Sequence, residues 1–334
     1  MQNMEPLKLQ AALEKWPLIA PYRITGHVWE HLEVLVVTLE ARGYAGRGEG
    51  AGVYYRDDTP AAMLRQVEAV RSSIEAGITR ASLQELLPPG GARNAVDCAL
   101  WDLEAKLTGR PVWQLAGMSA PVPLLTTFTC PADTPEKMAE AARAYEHARA
   151  IKLKLTGDAD AERVLAVREA RKDVWLGVDA NQGFTRDSLE RLMPALVQSR
   201  VALIEQPFPV GREAWLDGLQ SPISIAGDES IQGLADLAKA VDRFDVVNIK
   251  LDKCGGLTEA LGLAREARRA GLRTMVGNMI GTSLAMAPAF IVGQLCELVD
   301  LDGPVVLRSD RTVKVRYADG QITCPAGLWG TATL

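Results

Sequence analysis

The fold is determined by five short stretches between residues 150 and 250. They read AIKLKL (150–155), VWLGVD (174–179), VALIE (201–205), ISIAGD (223–228) and DVVNIK (245–250). Each is mostly apolar, which is typical of a parallel strand that is covered on both faces. The stretches between and after them, such as LTEALGLAREARRAG (257–271), repeat apolar residues at intervals of three and four. This pattern predicts strands that alternate with amphipathic helices.

Three further apolar runs extend the pattern on both sides. They are LLTTFT (124–129), LRTMVG (272–277) and CELVDL (296–301). Eight strand–helix repeats predict an α/β protein with a (β/α)₈-type TIM barrel over residues 119–303. Before the barrel, a strand at 34–39 and helices at 60–77 and 92–108 predict an α+β capping domain over residues 1–118. Residues 304–334 contain no further repeat, and we expect them to pack back on the capping domain and complete it.

Composition excludes several classes of partner. The 334 residues carry a formal net charge of −5, which argues against nucleic acid or an anionic membrane surface as a partner. No apolar run is long enough to span a bilayer, and the amino terminus lacks the apolar core of a signal peptide. The five scattered cysteines form no C-x-x-C pair and suit a reducing compartment. We therefore expect a cytoplasmic protein that acts on a small molecule, and homo-oligomerisation is left open.

Charged residues end five consecutive strand runs, in an otherwise apolar setting. They are Lys154, Asp179, Glu205, Asp228 and Lys250, and each follows the last by one strand–helix unit. A single charge at a strand end is usually a loop cap or a solvated group. Five in register favour an active site, because the carboxyl ends of barrel strands converge on one mouth.

The order of these charges predicts their chemistry. Asp179, Glu205 and Asp228 follow neighbouring strands, so they predict a cluster of three carboxylates that a hard cation such as Mg²⁺ would neutralise. Lys154 and Lys250 follow the second and sixth strands, which face each other in a ring of eight, and they are candidate proton carriers. The three histidines, His27, His31 and His147, lie at no predicted strand end, which disfavours a histidine base or a zinc site.

Sequence motifs at these positions resemble the muconate-lactonizing branch of the enolase superfamily. The matching motifs are K-x-K at 152–154, D-x-N at 179–181, E-Q-P at 205–207, D-E-S at 228–230 and N-I-K-L at 248–251. The resemblance implies that Asp179, Glu205 and Asp228 bind Mg²⁺. It also implies that Lys154 and Lys250 are the two catalytic bases. Together with Mg²⁺, the positive charge of Lys152 is expected to stabilise an enediolate as it forms.

A further motif, Asp300-Leu301-Asp302, resembles the D-x-D signature of the dipeptide epimerases, which include the L-Ala-D/L-Glu epimerases. The resemblance implies that Asp300 and Asp302 bind the free α-ammonium of a dipeptide substrate. The expected function is then Mg²⁺-dependent epimerisation by 1,1-proton transfer at the α-carbon of the C-terminal residue. The alternatives are an o-succinylbenzoate synthase, an N-acylamino-acid racemase or a muconate cycloisomerase of the same fold. A catalytically silent relative would lack a ligand or a lysine, and none is missing.

The capping domain departs from this family pattern at one position. Gly26 stands where epimerases specific for Ala-Glu carry an arginine that binds the substrate glutamate. Arg23 and Arg56 are nearby in sequence but out of register. The dipeptide side chains that the protein accepts are therefore left open.

Overall fold

The structure is a computed structural model that describes residues 6–24 and 27–331. Gly26, and with it the question of the missing arginine, lies outside the described residues. Within them, strands form three sheets. The cap sheet contains β1 (Lys8–Ile24), β2 (His27–Ala41) and β3 (Tyr44–Gly50). A small sheet contains β4 (Leu124–Leu125), β13 (Arg316–Ala318) and β14 (Gln321–Thr323).

The third sheet is parallel and has eight strands, ordered along the chain. They are β5 (Phe128–Cys130), β6 (Ala150–Lys154), β7 (Trp175–Asp179), β8 (Val201–Glu205), β9 (Ser224–Gly227), β10 (Val246–Ile249), β11 (Arg273–Val276) and β12 (Leu298–Val299). The first and last strands meet, because the Thr127 amide donates a hydrogen bond to the Val299 carbonyl at 3.0 Å. The predicted (β/α)₈-type barrel with a capping domain is confirmed.

Helices cover the outside of the barrel and one face of the cap sheet. In the cap and its linker they are α1 (Pro60–Ala69), α2 (Arg71–Glu75), α3 (Arg80–Leu86), α4 (Gly91–Thr108) and α5 (Val112–Leu115). In the barrel they are α6 (Pro135–Ala144), α7 (Asp160–Ala170), α8 (Arg186–Gln198), α9 (Leu237–Ala240), α10 (Leu251–Cys254), α11 (Leu257–Arg269) and α12 (Ser283–Gly293). Short 3₁₀ helices lie at Tyr54–Arg56, Glu213–Leu216, Leu234–Asp236 and Gly303–Val306.

Local sequence signals explain where several helices begin and end. Helix α8 starts after Thr185, whose hydroxyl accepts a hydrogen bond from the Ser188 amide at 3.2 Å while Ser188 caps Thr185 in return. Helix α4 ends at Gly109, which has the left-handed φ of +66° that glycine adopts without strain. No helix in the described ranges is long and apolar enough to cross a membrane.

The first predicted strand run, LLTTFT, divides between two sheets. Leu124 and Leu125 pair antiparallel with β14, whereas the barrel strand begins only at Phe128. The division occurs at the two threonines, since the Thr126 amide donates to the Gly320 carbonyl at 3.0 Å and Thr127 bonds to the last barrel strand. Leu124 and Leu125, which the sequence pattern assigned to the barrel, thus pair with a strand of the C-terminal segment.

The carboxyl-terminal residues contact the cap. The Trp329 indole donates to the Arg47 carbonyl of β3 at 2.8 Å, and the Gly330 amide donates to Asp102 of α4 at 2.7 Å. These contacts agree with the expected return of residues 304–334 to the capping domain. The predicted domain boundaries at 118/119 and 303/304 stay predictions.

Buried polar contacts fix the cap over the barrel mouth. Asp252, in the turn after β10, accepts hydrogen bonds from the amides of Ala51 and Gly52 at 2.9 and 3.1 Å. Arg93 of α4 donates to the Cys254 carbonyl at 2.6 Å and also pairs with Glu259. Because the partners are buried backbone and side-chain groups, the cap loop that follows β3 has a defined position above the strand ends.

Candidate active site

A cluster of lysines and carboxylates forms the bottom of the barrel mouth. We call it the floor, and it comprises Lys152, Lys154, Asp179, Glu205, Asp228, Lys250, Lys253, Asp300 and Asp302. Most of them end or follow a barrel strand, and all are at most 9% exposed. The structure therefore brings the predicted catalytic, metal-binding and ammonium-binding residues to one place.

Two lysines of the floor lie on opposite walls. Lys154 ends β6 and Lys250 follows β10, and three strands separate them in either direction around the barrel. Both line one cavity of about 410 Å³ that opens toward the cap. A carbon atom held between them would have an ammonium or amine on each face, as the sequence predicted.

Each lysine is paired with a carboxylate at the next position around the mouth. Lys154 donates to Asp179 at 2.5 Å, and Lys250 donates to Asp228 at 2.5 Å. Burial acts to lower the pKa of Lys250, but the charges of Asp228 and Glu205 outweigh it and raise that pKa well above its ordinary value. Lys250 is therefore held as a cation while its pair with Asp228 is intact.

The three predicted metal ligands, Asp179, Glu205 and Asp228, are completely or almost completely buried. Glu205 accepts from Lys152 at 3.1 Å and from the Asn248 amide group at 2.6 Å. Burial and the charges of Asp179 and Asp228 raise the pKa of Glu205 to about 7. Three like charges thus repel one another at neighbouring strand ends, and each is balanced by a lysine.

These carboxylates fit a hard divalent cation by the chemistry of their donors. All three offer oxygen, as Mg²⁺ prefers. Nearby, Asn181 Oδ1 and Glu229 Oε2 are buried without a hydrogen-bond partner, so further oxygen acceptors are unused. In the arrangement described for residues 6–24 and 27–331, however, no three acidic, histidine or cysteine side chains converge closely enough to hold a metal. Each of these carboxylates instead forms an ion pair with a lysine.

Asp300 and Asp302 both line the cavity but differ in their contacts. Asp300 pairs with Lys152 through one oxygen and accepts from the Thr127 hydroxyl through the other. Asp302 accepts from the Thr129 amide at 2.6 Å. Burial and the Asp300 charge raise the pKa of Asp302 to about 6. The negative charge of Asp300 is thus already balanced, and Asp302 has the greater remaining capacity to receive a cation.

Lys253 belongs to the floor, although it lies beyond the end of β10 and is not among the site residues predicted from the sequence. It is 1% exposed and donates to Asp228 Oδ1 at 2.5 Å and to the Asn248 carbonyl at 2.9 Å. The one-turn helix α10 returns its side chain to the strand end. The available signal was the spacing of Lys253, which follows Lys250 by three residues. One helical turn places the two lysines on the same side.

The sequence reasoning missed the cap's contribution to the site. Five aromatic side chains of the cap line the cavity and pack ring against ring, and we call them the roof: Tyr22, His27, Trp29, Tyr54 and Tyr55. Neighbouring ring centroids lie 4.1 to 6.1 Å apart. They come from the β1–β2 hairpin and from the 3₁₀ helix after β3. No regular spacing connects these two segments, so only the folded cap brings the rings together.

Fold and site together define a class: capped (β/α)₈ barrels with paired lysines and carboxylates at the strand ends, suited to proton transfer at carbon. The sequence matches the family described as Mandelate racemase / muconate lactonizing enzyme, N-terminal domain, over residues 8–117. It matches the Enolase C-terminal domain-like family over residues 136–328. The chain therefore belongs to the enolase superfamily, and the resemblance noted in its motifs is confirmed.

Among characterised relatives, the chain is 38% identical to L-Ala-D/L-Glu epimerase of Escherichia coli, over 92% of this chain and 97% of that protein. It is 37% identical to N-acetyl-D-glutamate racemase of a Pseudoalteromonas species, over 90% of this chain and 96% of that protein. Both names denote inversion at a carbon centre of an amino-acid derivative; an alanyl group is attached to the reacting residue in the first substrate and an acetyl group in the second. They support an isomerase of amino-acid derivatives.

Two solved structures are similar along the whole chain. An enolase family member from Agrobacterium tumefaciens with homology to dipeptide epimerases, with bound sodium and L-Ala-L-Glu, has a TM-score of 0.95 and 37% identity and covers 97% of this chain and 100% of that one. The dipeptide epimerase from Methylococcus capsulatus, complexed with Mg and L-Arg-D-Lys, has a TM-score of 0.90 and 32% identity, with 98% and 99% coverage.

Proposed function

We propose that this protein is a Mg²⁺-dependent dipeptide epimerase that inverts the α-carbon of the C-terminal residue by 1,1-proton transfer. The observation that carries the proposal is the placement of Lys154 and Lys250 on opposite walls of one cavity. Epimerisation needs a proton acceptor on one face of the carbon and a donor on the other, and this placement provides both. The dipeptide epimerases among its relatives support the choice of reaction.

The floor supplies the other requirements of the reaction. Mg²⁺ held by Asp179, Glu205 and Asp228 would supply a Lewis acid for the substrate carboxylate. Lys152, which is buried on β6 and pairs with Asp300 after β12, adds a fixed positive charge where the enediolate develops. One of the opposed lysines, in its neutral form, takes the α-proton, and the ammonium of the other delivers a proton to the opposite face.

Asp302 would receive the α-ammonium of the dipeptide, with Asp300 holding Lys152 beside it. Both carboxylates lie at the end of β12, away from the metal cluster that follows β7, β8 and β9. A zwitterionic dipeptide can then place its carboxylate and its ammonium in regions of opposite charge. This arrangement orients the α-carbon between the two lysines.

A second candidate is an N-acylamino-acid racemase with the same proton transfer. The observation that favours it is the pairing of Asp300 with both Lys152 and Thr127, which leaves less negative charge free for an ammonium. The similarity to N-acetyl-D-glutamate racemase also supports it. In both candidates the nitrogen of the reacting residue is acylated; they differ in whether the acyl group is an aminoacyl group with a free, charged α-ammonium or an uncharged acyl group.

The proposal includes a cytoplasmic location. It also includes a small-molecule substrate, with no nucleic acid or membrane as a partner. It is supported by five free cysteines, three of them buried, with no disulfide among them in the part of the chain that the structure describes. Homo-oligomerisation stays open.

A dipeptide library incubated with the protein and Mg²⁺ in D₂O tests the proposed reaction. Mass spectrometry should detect one deuterium at the α-carbon of the C-terminal residue, and chiral analysis should detect inversion. Dialysis against a chelator should remove the exchange, and added Mg²⁺ should restore it. Full exchange after exhaustive chelation would contradict the metal requirement. The absence of exchange with any free dipeptide, together with exchange of N-acylamino acids, would favour the second candidate.

A further inference from the structure

We propose that the roof selects dipeptides whose C-terminal side chain is large and apolar. The inference rests on the proposed function, since it assigns a substrate class to the same site. It begins with the direction in which the reacting carbon must present its side chain.

Proton exchange on both faces fixes that direction. In the planar intermediate, the carboxylate, the nitrogen and the side chain lie in one plane, with Lys154 on one side of it and Lys250 on the other. The carboxylate is directed to the Mg²⁺ that the acidic cluster would hold. The amide nitrogen, which carries the N-terminal residue and its ammonium, is directed to Asp302. The third direction in the plane leads out of the barrel, where the roof closes the cavity. The side chain therefore contacts the roof in both stereoisomers.

The roof offers ring surfaces in this direction. His27 and Trp29 lie 4.1 Å apart between ring centroids, and Tyr54 stands edge-on to Trp29 at 5.2 Å. Ile24 and Ile280 line the same cavity, from the hairpin and from the loop after β11. Such aromatic and aliphatic surfaces gain free energy when an apolar side chain displaces water from them.

Charge on the cap argues against an acidic side chain. Among the described cap residues that line the cavity, none is lysine or arginine, whereas Glu30, Glu33 and Asp58 are acidic. A substrate carboxylate placed against the rings would lose its hydration without a permanent counter-charge.

A cationic side chain is also less well matched than an apolar one. Asp58 lies partly buried and already accepts a hydrogen bond from the Gly91 amide at 2.7 Å. Glu30 and Glu33 are exposed to solvent, so their charges are screened by water. The rings themselves remain as the recognition surface.

The test compares kcat/KM for epimerisation of L-Ala-L-Phe, L-Ala-L-Leu, L-Ala-L-Ala, L-Ala-L-Lys and L-Ala-L-Glu. We expect the Phe and Leu dipeptides to exceed the Ala dipeptide by about 10-fold or more, as burial of a large apolar side chain implies. The Glu dipeptide should fall below the Ala dipeptide. A preference for the Glu or Lys dipeptide would overturn the inference but leave the proposed function intact. Failure to epimerise any dipeptide would overturn both.

Two variants locate the effect. Trp29→Ala should lower kcat/KM for L-Ala-L-Phe about 10-fold more than for L-Ala-L-Ala, because the ring contact is lost only for the large side chain. Ile19→Ala, an exposed site on β1 outside the cavity, is the matched control and should change neither. Equal losses for both substrates in Trp29→Ala, with an unchanged melting temperature, would show that the roof does not set side-chain preference.

Discussion

The floor and the roof of the cavity are built in opposite ways. The floor consists of charged residues at or just after the ends of barrel strands, and its ion pairs join one strand to another. The roof consists of aromatic residues from two separate parts of the cap, the β1–β2 hairpin and the 3₁₀ helix after β3. In the proposed reaction, the floor acts on the α-carbon and the carboxylate that all substrates share. The roof would contact the side chain, which varies.

This difference suggests that the reaction and the substrate preference can change separately. Changes in the floor should reduce turnover of every substrate, whereas changes in the roof should alter the ranking of substrates. In barrel enzymes, loops and added domains at the carboxyl ends of the strands provide this separation. The following experiments test it, beginning with the largest expected effect.

Lys250→Ala should reduce epimerisation in both directions by at least about 10³-fold for every dipeptide tested, since one of the two proton carriers is lost. Exchange of the α-proton with retention should persist for the stereoisomer whose proton faces Lys154. Chiral chromatography and mass spectrometry in D₂O measure the two processes separately.

Lys239→Ala is the matched control, because this lysine of α9 is exposed and pairs with Asp236 outside the site. It should epimerise normally. Normal epimerisation by Lys250→Ala would instead show that Lys250 is not one of the pair, and Lys253 would become the next candidate. A loss confined to one dipeptide would contradict the separation of floor and roof.

The floor could be predicted from sequence because of its regularity. Each parallel strand is followed by a crossover segment, which is helical in most of the repeats, so charges such as Asp179 and Glu205 recur at intervals of one unit and must meet at the mouth. The roof has no such constraint. Trp29 and Tyr54 meet only because β2 and β3 pair in one register and because Asp252 holds the cap loop. Pairing between segments that are distant in sequence also explains the division of LLTTFT. Leu124 pairs with Ile322, almost 200 residues later.

The ion pairs also escaped prediction. The sequence placed Asp300 as a receptor for the substrate ammonium, but alternation along a strand does not reveal which charge a neighbouring strand presents. Lys152 reaches Asp300 across β5, which lies between their strands and has Thr129 opposite Lys152. Because Asp300 is already paired, the next question is whether the substrate carries a free ammonium at its amino terminus.

Free and N-acetylated forms of one dipeptide should differ in kcat/KM by about 10- to 150-fold in favour of the free form. This range corresponds to roughly 1.5–3 kcal/mol for a charge-assisted hydrogen bond to Asp302. Asp302→Asn should narrow the difference, and its amide oxygen can still accept from the Thr129 amide, so the strand contact is kept. Equal rates with the two forms, or a preference for the acetylated one, would favour the N-acylamino-acid racemase.

The smallest expected effect concerns the joint between cap and barrel. Asp252 is buried, and burial raises its pKa to about 7 although the Gly52 and Ala51 amides favour its charged form. A raised pKa means that the folded protein binds this proton more tightly than the unfolded chain. The contribution of Asp252 to the free energy of unfolding therefore falls as the pH rises from about 4 to about 7, and is constant above that.

Asp252→Asn should remove this dependence, because an asparagine amide oxygen can accept from the same two backbone amides but carries no charge. Relative to wild type, the variant should gain on the order of 1–3 kcal/mol in the free energy of unfolding between pH 4.5 and pH 8. Urea unfolding at the two pH values measures the gain. Asp57→Asn, an exposed change on the same cap loop, is the control and should show no such gain. If the Asp252 variant matches wild type at both pH values, the cap is not held by a group that titrates in this range. If the gain appears and the substrate ranking is unchanged, floor and roof keep their alignment whether or not this joint is charged.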